Sequence, residues 1–286
     1  MKKLYTIKIV LLIFIIITSS SCSQKESSSK PIQECKIFVF GETIEMVLVE
    51  GGTFNMGCTP EQEKDAAENE KPLHAENVES FYIGKYEVTQ KLWNAVLGEE
   101  NNHSHNTNCE DCPVENVSWS DAQAFIARLT ILTKKKFRLP SDIEWEYAAR
   151  GGNRSLGYKY SGSNNINEVG WYIENYQDKP CGDKKTTHTV GLKQSNELGL
   201  YDMSGNVWEW CDNLYQKEYV QNNKKVHTGW PFPGTHLYFR RIIRGGSWGG
   251  EATGCRVSCI DFDFANYKDE YGGFRLVMEC DSENKQ

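Results

Sequence analysis

This sequence is short of positive charge relative to negative. Its 32 Lys and Arg stand against 39 Asp and Glu, for a formal net charge of −7. A generic nucleic-acid binder with a basic face is excluded. Long apolar runs are also missing. The unbroken run Ile9–Ile17 covers nine residues, where a membrane-spanning helix needs about 20. A mean hydropathy of −0.59 excludes a polytopic membrane protein. There is no HExxH, P-loop, dinucleotide fingerprint or nucleophile elbow, so the reactions those motifs carry have no support here. No internal repeat appears, and low complexity is confined to a short Ser-rich stretch near the start.

What is abundant is large amphipathic side chains, with 8 Trp and 14 Tyr. They suit a loop-rich fold that needs bulky plugs between irregular segments. Hydrophobic residues at 39% and charged residues at 25% are the proportions of a folded domain.

The first residues read as a targeting segment. Lys2, Lys3 and Lys8 precede the apolar run, and Ser19-Ser20-Ser21-Cys22 follows it. Small residues directly before a Cys at that edge resemble a bacterial lipoprotein cleavage site. The expectation is a signal peptide over 1–21, lipidation at Cys22, a polar tether over 22–35 and a polar tail over 281–286. An ordinary secretory peptide cleaved nearby is the alternative. Either way the chain is exported, and its cysteines then tend to oxidise. Setting Cys22 aside, nine of the 10 cysteines remain, an odd number. Cys35 and Cys280 bracket the body and could tie its ends together.

The body, 36–280, reads as one α+β domain. Met46–Val49 is strand-like, and Val78–Val88 is rich in β-branched and aromatic residues. Thr89 is placed to cap a helix over Gln90–Leu97, closed by Gly98. A second helix is expected over Asp121–Leu132, with Ala122, Phe125, Ile126, Leu129 and Leu132 on one stripe. A third follows Pro140, with Ser141-Asp142-Ile143-Glu144 as a capping box and Gly151-Gly152 as the stop. Beyond Gly152 the helical period disappears. Long ordered loops of that kind need a staple such as a disulfide or a bound ion.

Several blocks of the chain carry a resemblance. In order they are MVLVEGGTFNMG (Met46–Gly57), YEVTQ (Tyr86–Gln90), PVENVSWSDAQAF (Pro113–Phe125), RLPSDIEWEYAARG (Arg138–Gly151), GLYDMSGNVWEW (Gly199–Trp210), RGGSW (Arg244–Trp248) and GFRL (Gly273–Leu276). Together they resemble the sulfatase-modifying-factor family, whose type member is formylglycine-generating enzyme. The resemblance implies a variant C-type-lectin-like fold with little regular structure.

It also implies sites. Asp202 and Glu209 by side chain, with Gly205 and Val207 by backbone carbonyl, are the positions of a structural calcium ion. Hard cations take oxygen donors from a curled segment of this kind. A turn in which Asp202 only caps backbone amides is the alternative. Asn167 lies about where a second calcium ligand would. In active relatives two cysteines five residues apart bind copper(I) as thiolates. Here the second falls on Cys255, but the first falls on Gly250. Ile260 stands where many active relatives carry Arg. Cys255 is then either a buried or disulfide-bonded residue or half of a copper site, with Cys259 as a possible substitute partner. Ser247 joins Cys255 as a candidate catalytic residue, and Trp208 and Arg275 as candidate pocket-liners. The branch of the superfamily that uses histidine-bound iron carries an extra helical domain, for which there is no room.

Other constellations are weaker. His103, His105, Cys109 and Cys112 form a mixed set that zinc accepts, but a Cys109–Cys112 disulfide or pairing with another loop is the better reading. Asp261, Asp263, Asp269 and Glu270 read as a solvated acidic loop. Two functions follow. One is a non-catalytic binding or scaffold module of the cell envelope, anchored by its lipid to the outer membrane on the periplasmic or surface face, with an envelope protein as partner. The other is a copper-dependent oxidase converting a Cys of a sulfatase-type polypeptide to formylglycine with O₂. Neither involves nucleic acid.

Overall fold

The computed structural model describes residues 31–107, 109–177, 186–215, 218–221, 224–227 and 239–280, with side chains omitted over 218–221 and 224–227. The signal peptide, Cys22, most of the tether, Cys181 and the polar tail lie outside the described residues. Contacts divide the chain at Pro31 into an N-terminal unit and a body that begins at Ile32; only the body is described below.

Strands β1 (Glu34–Val39), β2 (Glu42–Val49), β5 (Phe81–Gly84), β6 (Phe137–Arg138) and β13 (Val277–Glu279) form an antiparallel sheet in the order β1-β2-β5-β13-β6. Its central strands are apolar on both faces, and their alternation divides two cores. Ile44, Met46, Tyr82 and Met278 point into one. Val47, Val49, Phe81, Ile83 and Val277 point into the other. Helices α1 (Gln90–Leu97) and α2 (Trp119–Thr133) cover the first face. There Trp93 stacks on Phe125 at 5.3 Å, and Phe274 meets Phe125 edge-on at 5.5 Å. The second face is covered by α3 (Asp142–Ala149), through Trp145, Ala148 and Ala149.

The helix signals have physical counterparts. Thr89 Oγ1 accepts from the Leu92 amide, and Gly98 follows α1 with φ 93°. The buried stripe of α2 is Ala122, Phe125, Ile126 and Leu129. That helix starts two residues earlier than expected, because Ser118 and Asp121 form its capping box. A Ser-x-x-Asp pair satisfies the same amides as Ser-x-x-Glu. On α3 the Ser141–Glu144 box is present, and Glu144 also takes Arg138 through two 2.7 Å bonds.

A second sheet builds the other end of the body. It contains β7 (Trp208–Leu214), β10 (Arg240–Arg244), β11 (Ile260–Phe264) and β12 (Gly272–Gly273), in the order β11-β10-β7-β12. Two hairpins complete the strands, β3 (Gly52–Met56) with β4 (His74–Val78), and β8 (Glu218–Gln221) with β9 (Lys224–His227). Between α3 and β7 the described chain is loop, apart from short turns and α4 (Ile166–Val169). Cys109 and Cys112 are joined by a disulfide, which removes both as zinc ligands, while His105 sits against Glu115 at 3.3 Å. Cys35 and Cys280 are not joined to each other, although both line one cleft. Among the described residues no helix is long and apolar enough to cross a membrane.

Candidate functional site

The loop leading into β7 is wound tightly. Asp202 and Asn206 adopt left-handed φ values of 57° and 63°. A Cβ on Gly205 would lie 2.2 Å from the Trp171 carbonyl oxygen, so only glycine fits there. The loop is stapled to the RGGSW block: the Gly205 amide donates to the Gly245 carbonyl at 2.7 Å, and the Trp248 amide to Asn206 at 2.8 Å. Buried Asn206 also donates to Glu87 Oε2 at 2.8 Å and accepts from the His188 amide.

Three carboxylates meet beneath this loop: Glu87, Asp202 and Glu209, all buried. Burial, together with the charges of Asp202 and Glu209, pushes the Glu87 carboxyl well above its usual range. Burial also raises Asp202, to about 6. Glu209 is committed elsewhere. It grips Arg275 with two 2.6 Å bonds and accepts from Trp145 Nε1 at 2.7 Å. Arg275 fills its remaining donors with the carbonyls of Gly84 and Tyr201. Asp202 Oδ2 accepts from the Gly191 amide at 2.6 Å, whereas its buried Oδ1 has no hydrogen-bond partner. The expected calcium donors therefore fit unevenly. Asp202 offers an unsatisfied oxygen, and Glu209 is held back by a guanidinium. Among the described residues no group of three or more acidic, His or Cys side chains is assembled as a metal cage. Asn167, the expected second ligand, is exposed on α4, and its side-chain oxygen accepts from Asn175. The sequence does not single out Glu87, because one Glu in a strand-like segment carries no spacing signal.

On the other side of β7, alternation presents Trp208 and Trp210 to a cavity of about 290 Å³. The register explains its floor. Ile243 pairs with Trp210 on one side and Asp261 on the other, while Trp208 pairs with Gly272. Ser247, Gly249 and Gly250 form one wall, and Tyr267, Lys268, Asp269, Tyr271 and Gly272 another. Ser247 and Trp208 thus share a pocket. Arg275 does not line it, because Glu209 and two carbonyls hold it in the interior.

Cys255 does not line it either. The residue is fully buried in a satellite core with Tyr160, Ile166, Val169 and Tyr172. Its Sγ lies behind the Gly246 backbone, 2.6 Å from where a Cβ on that residue would sit. Burial pushes its thiol up to about 12, with Cys259 adding to the shift. Cys259 is itself raised to about 11, chiefly by burial, and the two are not disulfide-bonded. The donor set does not match a two-thiolate copper site. Gly250 on the pocket wall brings no sulfur, and the one cysteine expected as a ligand faces away as a neutral thiol.

The sulfatase-modifying factor enzyme 1-like domain family matches residues 38–280. Among curated proteins, the chain is 32% identical over 276 residues to the Chaperone protein LppX of Paenibacillus barcinonensis, covering 82% of this chain and 89% of that one. It is 31% identical over 179 residues to a formylglycine-generating enzyme of Streptomyces coelicolor, covering 59% of this chain and 53% of that one. Among solved structures, Treponema denticola variable protein 1 superposes with a TM-score of 0.68 at 27% identity, over 86% of this chain and 99% of that one.

Proposed function

The chain belongs to the sulfatase-modifying factor enzyme 1-like family, with its loop-rich, C-type-lectin-like α+β fold, and from that membership we propose that it is a non-catalytic binding module of the cell envelope. One observation carries this reading: the pocket that holds Ser247 and Trp208 contains no thiol, because position 250 is glycine and Cys255 faces the core behind it. A soft ion such as copper(I) has no sulfur to bind on that wall. The relative named as a chaperone rather than an enzyme agrees with it. The copper-dependent oxidase reading rests on the relative named formylglycine-generating enzyme and on the retained Ser247 and Trp208.

The same proposal includes an exported lipoprotein anchored through Cys22, for which the Ser19-Ser20-Ser21-Cys22 edge is the support. It also includes a structural calcium ion at Asp202, with the carbonyls of Gly205 and Val207. Three buried carboxylates there face one buried guanidinium, and a divalent cation would offset the excess negative charge.

The deciding experiment supplies purified protein with copper(I), O₂ and a Cys-x-Pro-x-Arg peptide. No aldehyde product is expected. Turnover that Cys255→Ser abolishes would replace this reading with the oxidase. Expressed as Cys22→Ser, the protein is expected to leave the membrane fraction, and retention of an acylated form there would remove the anchor from the proposal.

A further inference from the structure

The pocket on β7 has a wall whose chemistry the family resemblance does not assign. Strand β11 reads Ile-Asp-Phe-Asp-Phe, and its Asp261 and Asp263 border the cavity together with Asp269 from the following loop. Asp261 and Asp263 each spend one oxygen on the amide of the next residue, at 2.8 and 2.7 Å. Asp269 accepts from the Tyr271 amide and the Tyr267 hydroxyl. None of the three is ion-paired among the described residues. The one lysine on the cavity, Lys268, turns toward Asp121 at 3.7 Å. Arg240 lies over the rings of Phe262 and Phe264 at 4.8 and 5.2 Å.

Beside these acids the cavity has an aromatic lining from Trp208, Trp210, Tyr267 and Tyr271, while the Phe262 ring packs on Tyr215 on the other face of β11. A second observation points to a ligand. Ser247 is only 2% exposed, yet it borders the cavity and its hydroxyl donates to no described residue. That hydroxyl is available to a polar group that enters the cavity. Gly250 leaves the entrance open, since a Cβ there would meet nothing closer than 3.5 Å.

We propose that this pocket takes a cationic side chain, the guanidinium or ammonium of a partner polypeptide, with Asp261 and Asp263 as the residues that select its charge. Aromatic faces attract cations through their quadrupole. Carboxylates beside them supply charge-assisted hydrogen bonds that a neutral group cannot use. The acids also act on one another, because burial and the charges of Asp269 and Asp261 raise the Asp263 carboxyl. A bound cation relieves that repulsion. The inference rests on the reading that this pocket, rather than the Cys255 thiol, is the working site.

The test is a tryptophan-fluorescence titration of the full chain without added metal. The probes are N-acetyl-arginine methylamide, the lysine and citrulline counterparts, and tetramethylammonium. Saturable quenching by the arginine or lysine amide is expected, with citrulline weaker by about tenfold, the factor that 1.4 kcal/mol supplies. Asp263→Asn and Asp261→Asn should each weaken the cationic probes by about three- to tenfold. Their circular dichroism and melting should match wild type, because each retains its bond to the neighbouring amide. Citrulline binding equal to arginine, unchanged binding in both Asn variants, or no saturable binding by either amide would each overturn the proposal. Tighter binding of tetramethylammonium than of either amide would assign the pocket to a free quaternary cation and overturn the polypeptide side chain. Because the titration contains no copper, peptide turnover would sink the binding-module reading without deciding this one.

Discussion

Position 250 shows what one residue decides. A cysteine there would sit on the pocket wall with room for its side chain, while Cys255 sits behind the Gly246 backbone in an apolar cluster. The pKa of Cys255, pushed up to about 12, leaves about one thiolate in ten thousand at pH 8. Because the shift is upward, reactivity should stay low and still be climbing beyond about pH 9 instead of levelling off near the usual thiol pKa. Site-resolved mass spectrometry after iodoacetamide should find Cys255 unmodified in the folded protein. In Gly250→Cys, the new thiol should alkylate readily. Rapid alkylation of Cys255 at pH 7 would contradict the placement. The missing ligand at 250 is legible in the sequence by counting from Ser247-Trp248. The direction of Cys255 is not, because Tyr160, Ile166, Val169 and Tyr172, far upstream, create the cluster it enters. The interior position of Arg275 is hidden for a similar reason, since it depends on Glu209, which the sequence assigns to a cation.

Helix α3 was the most legible element, and its interior the least. Ser141, Glu144 and Gly151 punctuate it in the sequence as they do in the structure, where Gly151 has φ 91°. Its apolar residues form no stripe, because the helix is enclosed rather than laid on a surface. Within DIEWEYAA the two glutamates look alike, yet they differ in depth. Glu144 caps the helix and pairs with a partly exposed Arg138. Glu146 is fully buried and holds Arg244 at 2.8 Å, Arg150 at 2.9 Å and the Gly57 amide at 2.8 Å. Removing one partner of a buried pair leaves a charge uncompensated. Glu146→Ala should therefore cost about 3–5 kcal/mol in urea unfolding. Glu144→Ala should cost only about 1–2 kcal/mol, as the loss of a cap does. Equal losses for the two would show that Arg244 does not depend on Glu146.

At the scale of the molecule, regular elements account for the two cores, whose α+β content was legible from periodicity. The region between α3 and β7 is held by other means. Its turns are pinned by glycines under backbone atoms, by Asn206, and by the carboxylates beneath them. Those carboxylates are poorly balanced, since Glu87 and Asp202 are both held above their ordinary range, and Glu209 already absorbs the buried Arg275 beside them. Spacing within DMSGNVWE pointed to Asp202 but could not reveal Glu87, which arrives from over a hundred residues upstream. If a divalent cation fills the unsatisfied oxygen of Asp202, it binds the native state alone. At a hundredfold excess over its dissociation constant it would add about 2.7 kcal/mol. Chelation should then lower the melting temperature, and excess calcium should restore it. Asp202→Asn should melt at one temperature under both conditions, because the replacement keeps an oxygen for the Gly191 amide but loses the charge. Identical melting of the wild type with and without chelator would rule out the ion, and the buried carboxylates would then have to be carried as protonated acids.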